Sequence, residues 1–257
     1  MVYKFRYAMV NGVRIRYLDY GKGDPIIFIH GLGGSIETWL GVLAKLSSSR
    51  HRLVALDLRG FGSSQRATTI NSVRDFAADV EGLIDYLGLD RVTLVGFSLG
   101  GVVALESYTM LGGAIRGLVL VSTLHVLPPK MMEIAGLLRS RGNSAWTNIA
   151  SILVYRMRGP RILEEISKVM ARNDPAYIAN IIELLRGADY SEIASKVDSP
   201  TLVIVGGKDQ ITPPGEVARF ASMFRRSRLV VVENAGHLLL LEAPGELARA
   251  IESFLGG

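Results

Sequence analysis

The 257-residue sequence contains no cysteine, which excludes disulfides, thiol nucleophiles and thiolate-held metals. Its four histidines, His30, His51, His125 and His237, are scattered without metal-ligand spacing, so no metal and no cofactor is expected. Long hydrophobic runs are missing too. The longest apolar stretch, around residues 92–105, is broken by Gly96, Ser98, Gly100 and Gly101 and is too short to span a membrane. Residues 1–7 alternate as a strand does and lack the apolar segment of a secretion signal. Charge of one sign is only mildly in excess, with 29 basic against 24 acidic residues. The densest basic cluster, Arg225-Arg226-Ser227-Arg228, reads as a solvated turn before a strand. Basic stripes interleaved with aromatic residues are absent. The expectation is a cytoplasmic protein with no nucleic-acid or membrane partner. Glutamine is scarce as well, only Gln65 and Gln210, and depletion of thermolabile side chains is a trend of heat-tolerant proteins.

What is present is ample core material: 49% of residues are hydrophobic and 21% charged, a profile of a folded rather than a disordered chain. Residues 3–10 and 13–20 alternate around Asn11-Gly12, a pair suited to the positive φ of a tight hairpin turn. After Gly21-Lys22-Gly23-Asp24-Pro25 the pattern changes. Residues 26–29, 53–56, 92–95, 118–121, 202–205 and 229–232 are short β-branched or leucine runs, as in parallel strands buried on both faces. Amphipathic helical stretches at 36–46, 73–87, 99–110, 214–224 and 243–255 alternate with them. This implies an α/β class, a doubly wound, mostly parallel sheet with an N-terminal antiparallel hairpin. From 124 to 197 no strand is evident and several helices are expected. Such a length cannot be a loop in a compact domain, so it reads as a helical cap, with 1–123 and 198–257 forming the core.

Gly96-Phe97-Ser98-Leu99-Gly100 follows a buried strand and opens a helix. A serine on such a tight turn is lifted clear of the sheet and stands at a helix N-terminus that favours negative charge. An alcohol needs a base to become a nucleophile. His237 in Asn234-Ala235-Gly236-His237 lies, like Ser98, on a loop leaving the C-terminal end of a strand, and such loops converge on one crevice. His30 stands in a tight turn and suits a structural hydrogen bond, while His51 precedes its strand. Asp209, in Gly206-Gly207-Lys208-Asp209, follows the next strand but one after Ser98 and is the carboxylate best placed to orient His237. The chain order Ser, Asp, His fits. Small residues in His30-Gly31-Leu32-Gly33-Gly34 let backbone amides approach a developing oxyanion.

Together these motifs closely resemble the α/β-hydrolase fold family over essentially the whole chain. Asp57-Leu58-Arg59-Gly60-Phe61-Gly62-Ser63-Ser64 is similar to a structural run of its capped members. The resemblance implies that the N–H groups of Leu32 and Leu99 form the oxyanion hole, with Gly33 donating instead in some branches. Related branches differ at recognisable points. Epoxide hydrolases and haloalkane dehalogenases carry an aspartate where Ser98 stands. Carbon–carbon bond hydrolases usually have a longer oxyanion loop and an aromatic residue after the Gly-His pair, where this chain has Leu238-Leu239-Leu240-Leu241. Proline iminopeptidases carry a Gly-Gly-Pro-Gly loop that is missing. The implied activity is hydrolysis of a small-molecule carboxylic ester through an acyl-enzyme. Carbon–carbon bond and lactone hydrolysis are the alternatives within the fold, and a small-molecule receptor is the non-catalytic one. Met131, Met132 and Trp146 of the cap, with Gly33 and His125, are the expected lining of a permissive apolar pocket. Arg139 or Arg158, if turned inward, would be suited to bind a carboxylate.

Overall fold

The computed structural model describes residues 4–66 and 70–256; Tyr3, expected to open the first strand, lies outside them. The chain begins with the antiparallel hairpin β1 (Phe5–Val10) and β2 (Val13–Gly21). Asn11 and Gly12 in its turn have φ of 50° and 75°, the conformation for which Asn-Gly is preferred. Six further strands follow: β3 (Asp24–Ile29), β4 (His51–Leu56), β5 (Val92–Phe97), β6 (Ile115–Val121), β7 (Thr201–Gly206) and β8 (Ser227–Val232). The sheet order is β1-β2-β4-β3-β5-β6-β7-β8, parallel from β4 to β8 with the hairpin antiparallel on one edge. Helices α1 (Leu40–Leu43), α2 (Val73–Tyr86) and α3 (Leu99–Leu111) connect the early strands. Between β6 and β7 come α4 (Pro129–Arg141), α5 (Trp146–Leu153), α6 (Pro160–Met170), α7 (Pro175–Leu184) and α8 (Ser191–Lys196). The C-terminal part adds α9 (Pro214–Ala221), α10 (Leu239–Glu242) and α11 (Pro244–Leu255).

The β-branched runs are buried because helices cover both sheet faces. Ile26 and Phe28 of β3 pack with Trp39, Leu247 and Ile251 on one side, whereas Ile27 and Ile29 pack with Phe76, Val103 and Val217 on the other. Each such fully buried side chain contributes roughly 1.5–3 kcal/mol. From β3 the chain moves to β4 on one side, then returns past β3 to β5 on the other. The loops leaving β3 and β5 therefore part at a topological switch point, where crevices open at the C-terminal strand ends.

Boundaries differ from expectation where local chemistry intervenes. The helix expected over 36–46 is a 3₁₀ turn, Ile36–Trp39, followed by the single turn α1. Thr38 and Gly41 are weak helix formers, and the Ile36 amide is held by Asp57 Oδ1 at 2.7 Å. The last helix starts at Pro244, where a missing N–H costs nothing, and residues just before it form the separate turn α10. Ser227 and Arg228 of the basic cluster already belong to β8. The 124–197 segment holds helices α4–α8 with short connections and, among the described residues, no strand, only an isolated bridge between Val126 and Asp189. Asp57 accepts from the amides of Ile36 and Ser63 and from Arg16, and Arg59 grips Asp79 through two bonds of 2.6 Å. The Asp57–Ser64 run is thus a structural knot. Among the described residues no helix is long and apolar enough to cross a membrane.

Candidate active site

Ser98 sits between β5 and α3 with φ 52° and ψ −115°. For a residue with a side chain this conformation costs about 1–3 kcal/mol and must be imposed by its surroundings. The flanking glycines explain how. A Cβ on Gly96 would collide with the Gly100 carbonyl, one on Gly100 with the Ile29 carbonyl, and one on Gly101 with the Thr123 hydroxyl. The glycines let β5, α3 and the β3 loop meet within a single turn. Ser98 is the N-cap of α3 and Leu99 its first residue, so the serine faces the positive end of the helix dipole.

His237, in the loop after β8, places Nε2 at 3.2 Å from Ser98 Oγ and Nδ1 at 2.9 Å from Asp209 Oδ2. A carboxylate oxygen only accepts, so Nδ1 carries the proton and Nε2 presents its lone pair to the serine hydroxyl. Asp209 follows β7 and is itself fully engaged. Its Oδ1 accepts the amides of Ile211 and Thr212 at 2.8 and 2.9 Å, and its Oδ2 accepts the Thr212 hydroxyl at 2.6 Å. Burial by itself would push the Asp209 carboxyl up. The His237 ring and the His237 and Thr212 hydrogen bonds outweigh it and hold the group below the usual carboxylate range. Asp209 is therefore a fixed anion beside the imidazole.

The loop bearing His237 is clamped by a residue that sequence reasoning missed. Glu242 Oε2 accepts the Gly236 amide at 2.6 Å, while Oε1 accepts the amides of Tyr155, Arg156 and Met157. The Leu238 amide bonds to the Leu153 carbonyl at 2.9 Å. Leu238 is thereby tied to the last residue of α5, and Gly236, through Glu242, to the chain just after it. A signal was present in the sequence, since Glu242 is the lone charge in the apolar stretch 238–243.

On the β3 side, the Gly34 amide bonds to the Gly31 carbonyl at 3.0 Å, closing the expected tight turn. Gly33 has φ 74°, and its carbonyl accepts from Asn173 Nδ2 at 3.0 Å. The amides of Leu32 and Leu99 make no hydrogen bond among the described residues. His30 has the structural role expected of it: Nδ1–H donates to the Gly31 carbonyl at 2.7 Å and Nε2 accepts the Leu58 amide at 2.9 Å. His51 opens β4 at the far end of the sheet, 3.4 Å from Glu252.

Two apolar arms meet at Ser98 and share Leu32 and Met131 as walls. The first runs along Leu99, Val102, Ser122, His125, Tyr190 and Thr212. The second is bounded by Gly33, Trp146, Leu153, Met170, His237 and Leu238. Of the residues named from the sequence, Gly33, His125, Met131 and Trp146 line these arms. Met132 lines neither arm; it is half-buried against the core. Successive helical residues point about 100° apart, so only one of the adjacent methionines can face the cavity. Arg139 and Arg158 also turn away. Arg139 reaches Glu183 at 3.4 Å on the surface, and Arg158 donates to the Val154 carbonyl at 3.3 Å beside Tyr155. Among the described residues neither arm is lined by lysine, arginine, aspartate or glutamate, and no cluster of three or more His, Asp or Glu could hold a metal ion.

Residues 26–250 match the model of the alpha/beta hydrolase family. A curated relative, the 2-hydroxy-6-oxo-6-(2'-aminophenyl)hexa-2,4-dienoic acid hydrolase of Metapseudomonas resinovorans, is 28% identical over 269 residues, covering 98% of this chain and 91% of its own length. Among solved structures, a thermophilic esterase from Thermogutta terrifontis superposes with a TM-score of 0.87 at 26% identity, covering 98% of both chains. The enol-lactonase from Burkholderia xenovorans LB400 superposes at 0.89 with 25% identity over 98% of this chain and 100% of that one.

Proposed function

The chain belongs to the alpha/beta hydrolase family, and within it we propose that it is a serine hydrolase of uncharged carboxylic esters. The observation that carries this reading is the continuous hydrogen-bonded line from Ser98 through His237 to Asp209. In the proposed reaction, Ser98 Oγ attacks the ester carbonyl carbon as its proton passes to His237 Nε2. Negative charge builds on the carbonyl oxygen, and the amides of Leu32 and Leu99 receive it. Collapse breaks the bond to the alcohol, whose oxygen takes the proton from His237, and leaves an acyl-enzyme. Water then repeats the sequence and releases the acid. Asp209 holds the tautomer and stabilises the transient imidazolium. The helices between β6 and β7 serve as the cap that keeps the site apolar.

Fluorophosphonate labelling tests the nucleophile: a single adduct is expected, mapping to Ser98. Labelling that survives Ser98→Ala would falsify the assignment. The same substitution should lower kcat for a p-nitrophenyl ester by about 10⁶, the loss known for a related triad.

Carbon–carbon bond hydrolysis is the second reading, favoured by the dienoic acid hydrolase at 28% identity. Such an acid is a carboxylate near neutral pH, and an anion in an apolar cavity requires a cationic partner. The uncharged linings support the ester reading instead. Lactones are internal esters and fit the same mechanism. Parallel assays on p-nitrophenyl butyrate, a γ-lactone and an aryl dienoate separate the three.

A further inference from the structure

Ser122, directly after β6, carries two unusual features at once. Its φ is 48°, placing it with Ser98 and Asn11 as the described non-glycine residues at positive φ. Its side chain is completely buried, yet its hydroxyl has no hydrogen-bond partner among the described residues. Both features cost free energy. The fold did not lack means to satisfy a hydroxyl here, because Thr123 Oγ1 bonds to the carbonyls of Val121 and Ser98 at 3.1 and 3.3 Å. Register places Ser122 beside the elbow: Phe97 pairs with Val121, so Ser98 and Ser122 are the next residues on neighbouring parallel strands, which lie about 4.8 Å apart. His125 Nδ1 is likewise buried and unpartnered. Of the five such atoms among the described residues, those of Ser122 and His125 belong to residues lining the first arm. Those of Trp39, His51 and Ser107 line neither arm.

The two arms are not equivalent in the ester mechanism. His237 must protonate the departing alcohol, so the alcohol leaves towards the arm that His237 lines, the one with Leu238 and Trp146. The acyl chain then lies in the opposite arm, with Ser122 and His125. We infer that the first arm is an acyl subsite for chains bearing an oxygen function, a hydroxyl or a ketone near the scissile carbonyl, which Ser122 Oγ and His125 Nδ1 hydrogen-bond. The inference rests on the ester reading and adds the class of acyl group.

The test keeps the alcohol constant. p-Nitrophenyl 3-hydroxybutyrate is compared with the butyrate, and the 4-oxopentanoate with the pentanoate, each corrected for its rate of spontaneous hydrolysis. The wild-type protein should prefer the oxygenated member of at least one pair, and the two pairs distinguish a hydroxyl from a ketone. In Ser122→Ala the oxygenated-to-plain ratio of kcat/KM for that pair should fall about tenfold, as for loss of one hydrogen bond. Ser122→Gly, which accepts positive φ without strain, should give the same fall if the alanine variant folds poorly. His125→Phe, which keeps an aromatic ring against Phe220, should lower the ratio as well. Equal turnover within both pairs by the wild-type protein, or ratios unchanged in the Ser122 and His125 variants, would overturn the acyl-subsite inference while leaving the esterase intact. Failure of the wild-type protein to turn over any of the four esters would remove the ester reading and this inference with it.

Discussion

Glu242 accepts the amide of Gly236 at 2.6 Å while its other oxygen gathers the amides of three consecutive residues, Tyr155, Arg156 and Met157. One carboxylate thereby fixes the loop of His237 against the chain that follows α5. Glutamine keeps the shape but turns an N–H₂ towards amides that can only donate. Glu242→Gln should therefore lower kcat about 10- to 100-fold through misplacement of the imidazole, with a smaller change in KM. A loss of thermal stability with kcat unchanged would show that the clamp serves folding alone.

Ser98 pays a conformational cost for its position, so removing the side chain should separate strain from chemistry. Ser98→Gly and Ser98→Ala are both expected to be inactive, but glycine tolerates φ 52° and alanine does not. The glycine variant should be the more stable of the two by about 1 kcal/mol in urea unfolding. Equal stabilities would mean that the turn imposes no strain on its residue.

Asp209→Asn preserves size and the acceptor facing the Ile211 and Thr212 amides, but it no longer requires the Nδ1–H tautomer of His237. Turnover should fall by about 10⁴, as in the serine-protease precedent, with a circular dichroism spectrum like that of the wild-type protein. Near-full activity would exclude Asp209 as the orienting acid.

His30 is buried as a neutral ring, with Nε2 filled by the Leu58 amide. Burial pushes it below the ordinary imidazole range, outweighing the nearby Asp57 charge and the Gly31 carbonyl. As pH falls below about 6.5 the unfolded chain binds a proton that the folded one refuses, so stability drops by at most about 1.4 kcal/mol per pH unit. Asp209, held low, contributes stability above the ordinary carboxylate range and loses it only as pH falls through its own lowered value. Urea unfolding at pH 7.5, 6.5 and 5.5 should show this slope, and His30→Gln should flatten it. An unchanged slope would locate the acid sensitivity elsewhere.

Met131 and Met132 are adjacent in sequence and both half-buried against the core, but only Met131 lines the two arms. Met131→Ala should alter the ranking of p-nitrophenyl esters by chain length. Met132→Ala should lower the unfolding free energy by about 1–3 kcal/mol, less than for a fully buried methionine, and leave that ranking in place. Identical profiles for the two variants would contradict the assignment.

By itself, the sequence determined what depends on local sterics and periodicity. Asn11-Gly12 set the hairpin, the β-branched runs set strands buried on both faces, and Gly96, Gly100 and Gly101 set the turn that carries Ser98. Strand order also made Asp209 and His237 the natural companions of that serine, because each leaves the same end of a parallel sheet. What only the tertiary structure decided rests on contacts between segments far apart in the chain. The Glu242 clamp reaches back to residues 155–157, Asn173 holds the Gly33 carbonyl, and the free hydroxyl of Ser122 has meaning only beside Ser98. Adjacent methionines and surface-paired arginines have the same composition whichever way they face. Helix rotation and the partners across the interface choose between them, and neither is encoded within a single stretch of chain.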